Sequence, residues 1–114
     1  MPTRDRLFLG HMLGAAHRIV ELVGRTDEAA FVADWVLQDA LMRELEVLGE
    51  AAGQVSKEFV RTNPQIPWPA ITGLRHKLIH DYFEVDLNVV WQTATKNVPE
   101  VVPLIESAAA ALGD

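Results

Sequence analysis

A chain of 114 residues, 49% of them apolar, is long enough for one domain with one core and too apolar to remain disordered. It has no cysteine, which removes disulfides, thiol nucleophiles and thiolate metal sites and fits a reducing, cytoplasmic setting. Sixteen acids against ten Lys+Arg give a net charge of −6, which argues against general nucleic-acid binding, because phosphate contacts need a basic surface.

In chain order, Leu7, Met12, Ala15, Ala16, Ile19, Leu22 and Val23 recur at three- and four-residue steps and predict an amphipathic first helix ending near Gly24. His11, His17 and Arg18 interrupt its apolar run, so neither a signal peptide nor a membrane span is expected. Thr26, followed by Asp27 and Glu28, predicts the cap of a short helix over Ala29 to Ala33. Val36, Leu37, Ala40, Leu41, Leu45, Leu48, Ala52, Val55 and Phe59 then keep helical spacing, predicting one long helix from about Asp34 to Arg61. Asn63-Pro64 and Ile66-Pro67-Trp68-Pro69 stop it in a rigid loop.

A fourth helix is expected from Pro67 or Pro69 to about Tyr82, carrying Ile71, Leu74, Leu78 and Ile79. Asp86 caps a fifth from Leu87, with Val90, Trp91 and Ala94 inward; Pro99 and Pro103 are expected to kink or break it. No stretch alternates as a strand would, and every connection is short. The expectation is a single all-α domain over residues 1–114, an antiparallel up-and-down bundle of four to five helices.

The charge is uneven. From Lys57 to His80 there are four cations (Lys57, Arg61, Arg75, Lys77) and one acid (Glu58), a local net of +3 that leaves −9 on the rest. Within this stretch, Arg75 to Tyr82 concentrates Arg75, His76, Lys77, His80, Asp81 and Tyr82. At about 100° per residue, Arg75, Ile79 and Tyr82 share one helical stripe and His76 and His80 another. By themselves these residues have ordinary roles available: an ion pair of Arg75 with Asp81 or Glu84, a helix-end imidazole at His80, a half-buried ring at Tyr82. His76 and His80 form His-x3-His, but no Glu lies between them and no third ligand is evident, so no metal site is expected. Trp35, Trp68 and Trp91 are expected to be core or interface anchors. Arg43 either pairs with Glu46 or faces a cleft between two copies of the chain.

Arg75, four residues, His80, one residue, Tyr82 resembles the Arg-x4-His-x-Tyr motif of the HepT-like toxins, within the HEPN helical superfamily. Ile66-Pro67-Trp68 before the motif, Leu78 to Phe83 across it, and Val85-Asp86-Leu87 with Val90-Trp91 after it are similar too. So are Gln38-Asp39-Ala40, Leu45-Glu46 and Gly49-Glu50-Ala51-Ala52, and Arg4-Asp5 with Leu9 and Met12. One departure is His76, where the family often has Asn. The resemblance implies a ribonuclease toxin acting on RNA, catalysis by Arg75 and His80 with His76, Lys77 and Asp81 in support, and a homodimer whose two motifs face a shared cleft. It further implies a nucleotidyltransferase antitoxin of the MntA type that attaches AMP to Tyr82. No cofactor and no membrane contact are implied. The residue types suit the chemistry: imidazole moves protons near neutral pH, and guanidinium steadies charge on phosphorus. The alternative is a non-catalytic nucleotide- or protein-binding subunit of a nucleotidyltransferase complex.

Overall fold

The first helix, α1 (Pro2–Gly24), begins before the apolar pattern does. The computed structural model describes residues 2–78 and 85–112, without the side chains of Pro2, Thr3 and Arg75. Leu9, Met12, Ala15, Ala16 and Ile19 form the buried stripe of α1, at the three- and four-residue steps that keep one face turned to the core. Leu7 lies outside it, 54% exposed, and Leu9 takes its place.

Helix α2 (Glu28–Ala33) is capped by Asp27, whose Oδ1 accepts the Ala30 N–H at 2.8 Å. Thr26, the expected cap, stands one residue too early; Asp27 is the residue with extended backbone at the helix entrance. Phe31 is buried and meets the Trp91 ring at 5.3 Å. Asp34 caps α3 (Trp35–Gly53) by accepting from Val36 and Leu37. Leu41, Leu45, Leu48, Ala51 and Ala52 bury its inner face, whereas Val36 and Ala40 are exposed. Arg4 donates to Gln54, and Arg18 pairs with Glu44 at 2.9 Å, so α3 runs antiparallel to α1.

The single helix expected from Asp34 to Arg61 is two. It stops after Gly53 and restarts as α4 (Lys57–Thr62), capped by Ser56. The buried carboxylate of Asp5 accepts the Ser56 N–H at 2.8 Å and its hydroxyl at 2.7 Å, and Ser56 Oγ in turn accepts the Phe59 N–H. These bonds hold Ser56 in extended backbone and keep a continuous helix from forming.

The expected fourth helix is also divided, into α5 (Trp68–Thr72) and α6 (Leu74–Leu78), with a turn at Gly73. Its expected continuation to Tyr82 lies outside the described residues. Asp86 caps α7 (Leu87–Gln92) as expected, accepting from Asn88 and Val89. Pro99 and Pro103 do not break the last helical unit. A π-helical turn (Thr93–Asn97) leads directly into α8 (Val98–Leu112), which carries Pro103 in its interior. The ring of a proline crowds the carbonyl four residues back. For Pro99 that carbonyl belongs to Thr95, within the wider π turn.

The inward positions of this unit run Val90, Ala94, Val98, Val101, Ile105, Ala108. They close the core around α1, which packs against both α3 and α8. The result is the expected all-α, HEPN-like bundle; among the described residues there is no strand. No described helix is long and apolar enough to cross a membrane.

Candidate functional site

The segment singled out by the sequence begins on α6. Leu74 and Leu78, one turn apart, are both buried and fix which side of this short helix faces the core. His76 and Lys77 are exposed. Arg75 occupies a backbone position on α6; its side chain, and the whole of His80, Asp81 and Tyr82, lie outside the described residues.

Three features hold α6 in place. Trp68 is buried at the start of α5, donates its indole N–H to the Asn63 carbonyl at 3.0 Å, and meets the Phe59 ring edge-on at 6.1 Å. The Pro-rich loop is thus locked to α4 by an indole that has both an apolar body and a satisfied donor. Gly49 on α3 lets the α5–α6 corner come close: a Cβ there would stand 2.9 Å from the Ile71 carbonyl oxygen and 3.6 Å from Leu74 Cβ. Thirdly, the Thr72 hydroxyl donates to the Trp68 carbonyl at 2.9 Å, closing the last turn of α5 before Gly73.

Lys77 lines a cavity of about 360 Å³ between α5–α6 on one side and the π turn with α8 on the other. Leu48, Ile71, Leu74, Val98 and Val101 supply its apolar walls. Gln65, Asn97 and Glu100 also line it, and none of these three stood out in the sequence. Asn97 lies in the π turn, which no periodicity in the sequence announces. A second hollow of about 380 Å³ lies between α1 and α3, lined by His11, Arg43, Glu46 and Glu50 among others. Arg43 therefore faces a groove that also holds Glu46.

Of the three tryptophans, Trp68 is core, Trp91 is half-buried against Phe31, and Trp35 is 70% exposed beside the exposed Val32 and Val36. Trp35 is therefore no core anchor in this chain. Among the described residues, no group of three or more His, Asp or Glu is placed to hold a metal ion.

A family model described as Ribonuclease HepT-like matches residues 12–108, nearly the whole bundle. The chain belongs to this family. It is 40% identical over 96 residues to a protein named "Putative RNase" from Caldanaerobacter subterraneus subsp. tengcongensis, covering 84% of this chain and 86% of that one. It is 35% identical over 107 residues to another so named from Methanocaldococcus jannaschii, covering 93% and 88%. A "Probable ribonuclease HepT" of Thermococcus cleftensis is 41% identical over 71 residues, covering 62% and 64%. No solved structure gives a significant match. The HepT-like assignment drawn from Arg75, His80, Tyr82 and their flanks is borne out, and with it the expectation of an enzyme of the ribonuclease class.

Proposed function

We propose that this chain is the toxin of a toxin–antitoxin pair, a homodimeric endoribonuclease that needs no metal. The observation that carries the proposal is membership of the HepT-like ribonuclease family over residues 12–108, with Arg75, His80 and Tyr82 in the motif spacing inside that span.

In this reading the RNA supplies its own nucleophile. His80 takes the proton of a 2′-hydroxyl as that oxygen attacks the neighbouring phosphorus. The P–O5′ bond breaks, a 2′,3′-cyclic phosphate forms, and an imidazolium (the partner copy's motif histidine) returns a proton to the departing 5′-oxygen. Arg75 steadies the phosphorane charge through its planar fork. His76, Lys77 and Asp81 support the site, His76 and Lys77 from exposed positions on α6 where a polyanion has access.

Tyr82 is the proposed control point. A nucleotidyltransferase antitoxin of the MntA type transfers AMP to its hydroxyl, and the added bulk and negative charge compete with substrate phosphate for Arg75. Cleavage of RNA by the purified protein in chelator is the direct test. His80→Ala and Arg75→Ala are each expected to abolish both cleavage and growth inhibition; full toxicity in either variant removes the mechanism. Mass spectrometry of the co-expressed pair is expected to find an adenylate that Tyr82→Phe eliminates.

The net charge of −6 favours one other reading, a non-catalytic subunit bound to the transferase. It requires intact RNA in the same assay together with tight binding to the transferase.

A further inference from the structure

The cavity between α6 and the π turn has a chemical character of its own. Its volume of about 360 Å³ falls within the range of small-ligand sites, roughly 300–1,000 Å³. Its two long walls are aliphatic, Ile71 and Leu74 on one side and Val98 and Val101 on the other, and such walls accept the faces of a planar ring. Its polar groups are of complementary kinds. Lys77 contributes an ammonium from α6 and Glu100 a carboxylate from α8, and no ion pair joins them. Gln65 and Asn97 contribute amides, each able to donate and accept.

A group suited to this lining has flat apolar faces, an anionic end for Lys77 and a hydrogen-bond donor edge for Glu100. A nucleotide has all three. Lys77 is two residues after Arg75 and three before His80 in the sequence, so a phosphate held by Lys77 is close along the chain to the motif.

We propose that this cavity binds one nucleotide unit, its base between the aliphatic walls, its edge read by Asn97, Gln65 and Glu100, and its phosphate on Lys77. The proposal rests on the ribonuclease reading and deepens it by assigning a base-recognition site. Glu100 only accepts hydrogen bonds, so bases with an exocyclic amino group are favoured over uracil. The bound unit is either a nucleotide of the RNA strand or the adenylate carried by Tyr82; the chemistry recognised is the same.

The test is titration of the full-length His80→Ala protein with AMP, GMP, CMP and UMP, followed by amide chemical shifts. Perturbations are expected around Ile71, Leu74, Asn97 and Val101, with UMP the weakest ligand. Ala70→Trp, at an exposed position on the cavity wall, is expected to abolish binding. Asn97→Ala, also exposed, is expected to weaken it about tenfold, the loss of one hydrogen bond to a base edge. Thermal melts verify that both variants fold.

No binding, equal binding of all four nucleotides, or binding that survives Ala70→Trp overturns the proposal. Cleavage of a mixed-sequence RNA separates the two sources. A base preference flattened by Asn97→Ala assigns the site to the strand, and an unchanged preference with AMP binding lost assigns it to the adenylate. The failures also separate: intact RNA with nucleotides bound sinks only the ribonuclease reading, and cleaved RNA with no nucleotide bound sinks only the site.

Discussion

A single carboxylate near the start of the chain governs how residues fifty positions later fold. Asp5 is almost wholly buried and spends both oxygens on Ser56. Asp5→Ala would leave the Ser56 N–H without its acceptor inside the bundle and free the hydroxyl that caps α4. The expected loss is about 2–4 kcal/mol, from two hydrogen bonds to a charged acceptor and a donor left unsatisfied. Urea unfolding measures it, and a midpoint equal to wild type contradicts it. At this scale the sequence was partly readable. Asp86 was recognisable as a cap because an apolar periodic run comes directly after it. Thr26 and Asp27 are both good cap residues, and what selects Asp27 is the path of the incoming chain. Of the two roles expected of Trp35, core or interface anchor, its exposure excludes the first, and its place on the outer corner between α2 and α3 depends on packing that no local pattern encodes.

Among the elements, the corner of α5 and α6 against α3 positions the motif segment, and Gly49 is what lets it approach. Gly49→Ala puts a Cβ 2.9 Å from the Ile71 carbonyl oxygen, so backbone must shift. Overpacking of this kind costs roughly 1–3 kcal/mol. The variant is expected to melt earlier and to cleave RNA more slowly, because α6 moves with the corner. His80→Ala is expected to lose cleavage without the loss of stability, which separates the two effects in one pair of melts and assays. The break between α3 and α4 explains why one long helix was expected there. Leu48, Ala52, Val55 and Phe59 remain buried on both sides of the interruption, so the apolar spacing passes straight through it. The interrupting bond comes from Asp5, far away in sequence, and periodicity has no access to it. The division at Gly73 was nearer the surface of the sequence, since glycine lowers helix propensity and stands two residues before the motif.

For the molecule as a whole, the all-α bundle and the HepT-like family were both legible, the first from helical spacing and the second from Arg75, His80 and Tyr82 with their flanks. The cavity was not, because its polar residues come from four separate places, the loop before α5, α6, the π turn and α8. Shared-cleft catalysis requires two copies, so sedimentation of the 12.7 kDa chain is expected to give twice that mass at the concentrations where RNA is cut. A monomer that cleaves equally well contradicts it. The π turn bears on the whole as well. Inward positions fall at Val90, Ala94 and Val98 across it, then at Val101, Ile105 and Ala108 beyond. An α-helix of the same length would complete these turns in fewer residues. Deleting one residue from 93–97 would therefore let the turn close as ordinary α-helix with the last fifteen residues still in phase, whereas winding all five as α-helix would swing them by about 100° about their axis. In the over-wound case Val98 and Ile105 would rotate toward water. The loosely wound turn is a phase adjuster, and the C-terminal third of the core keeps time by it.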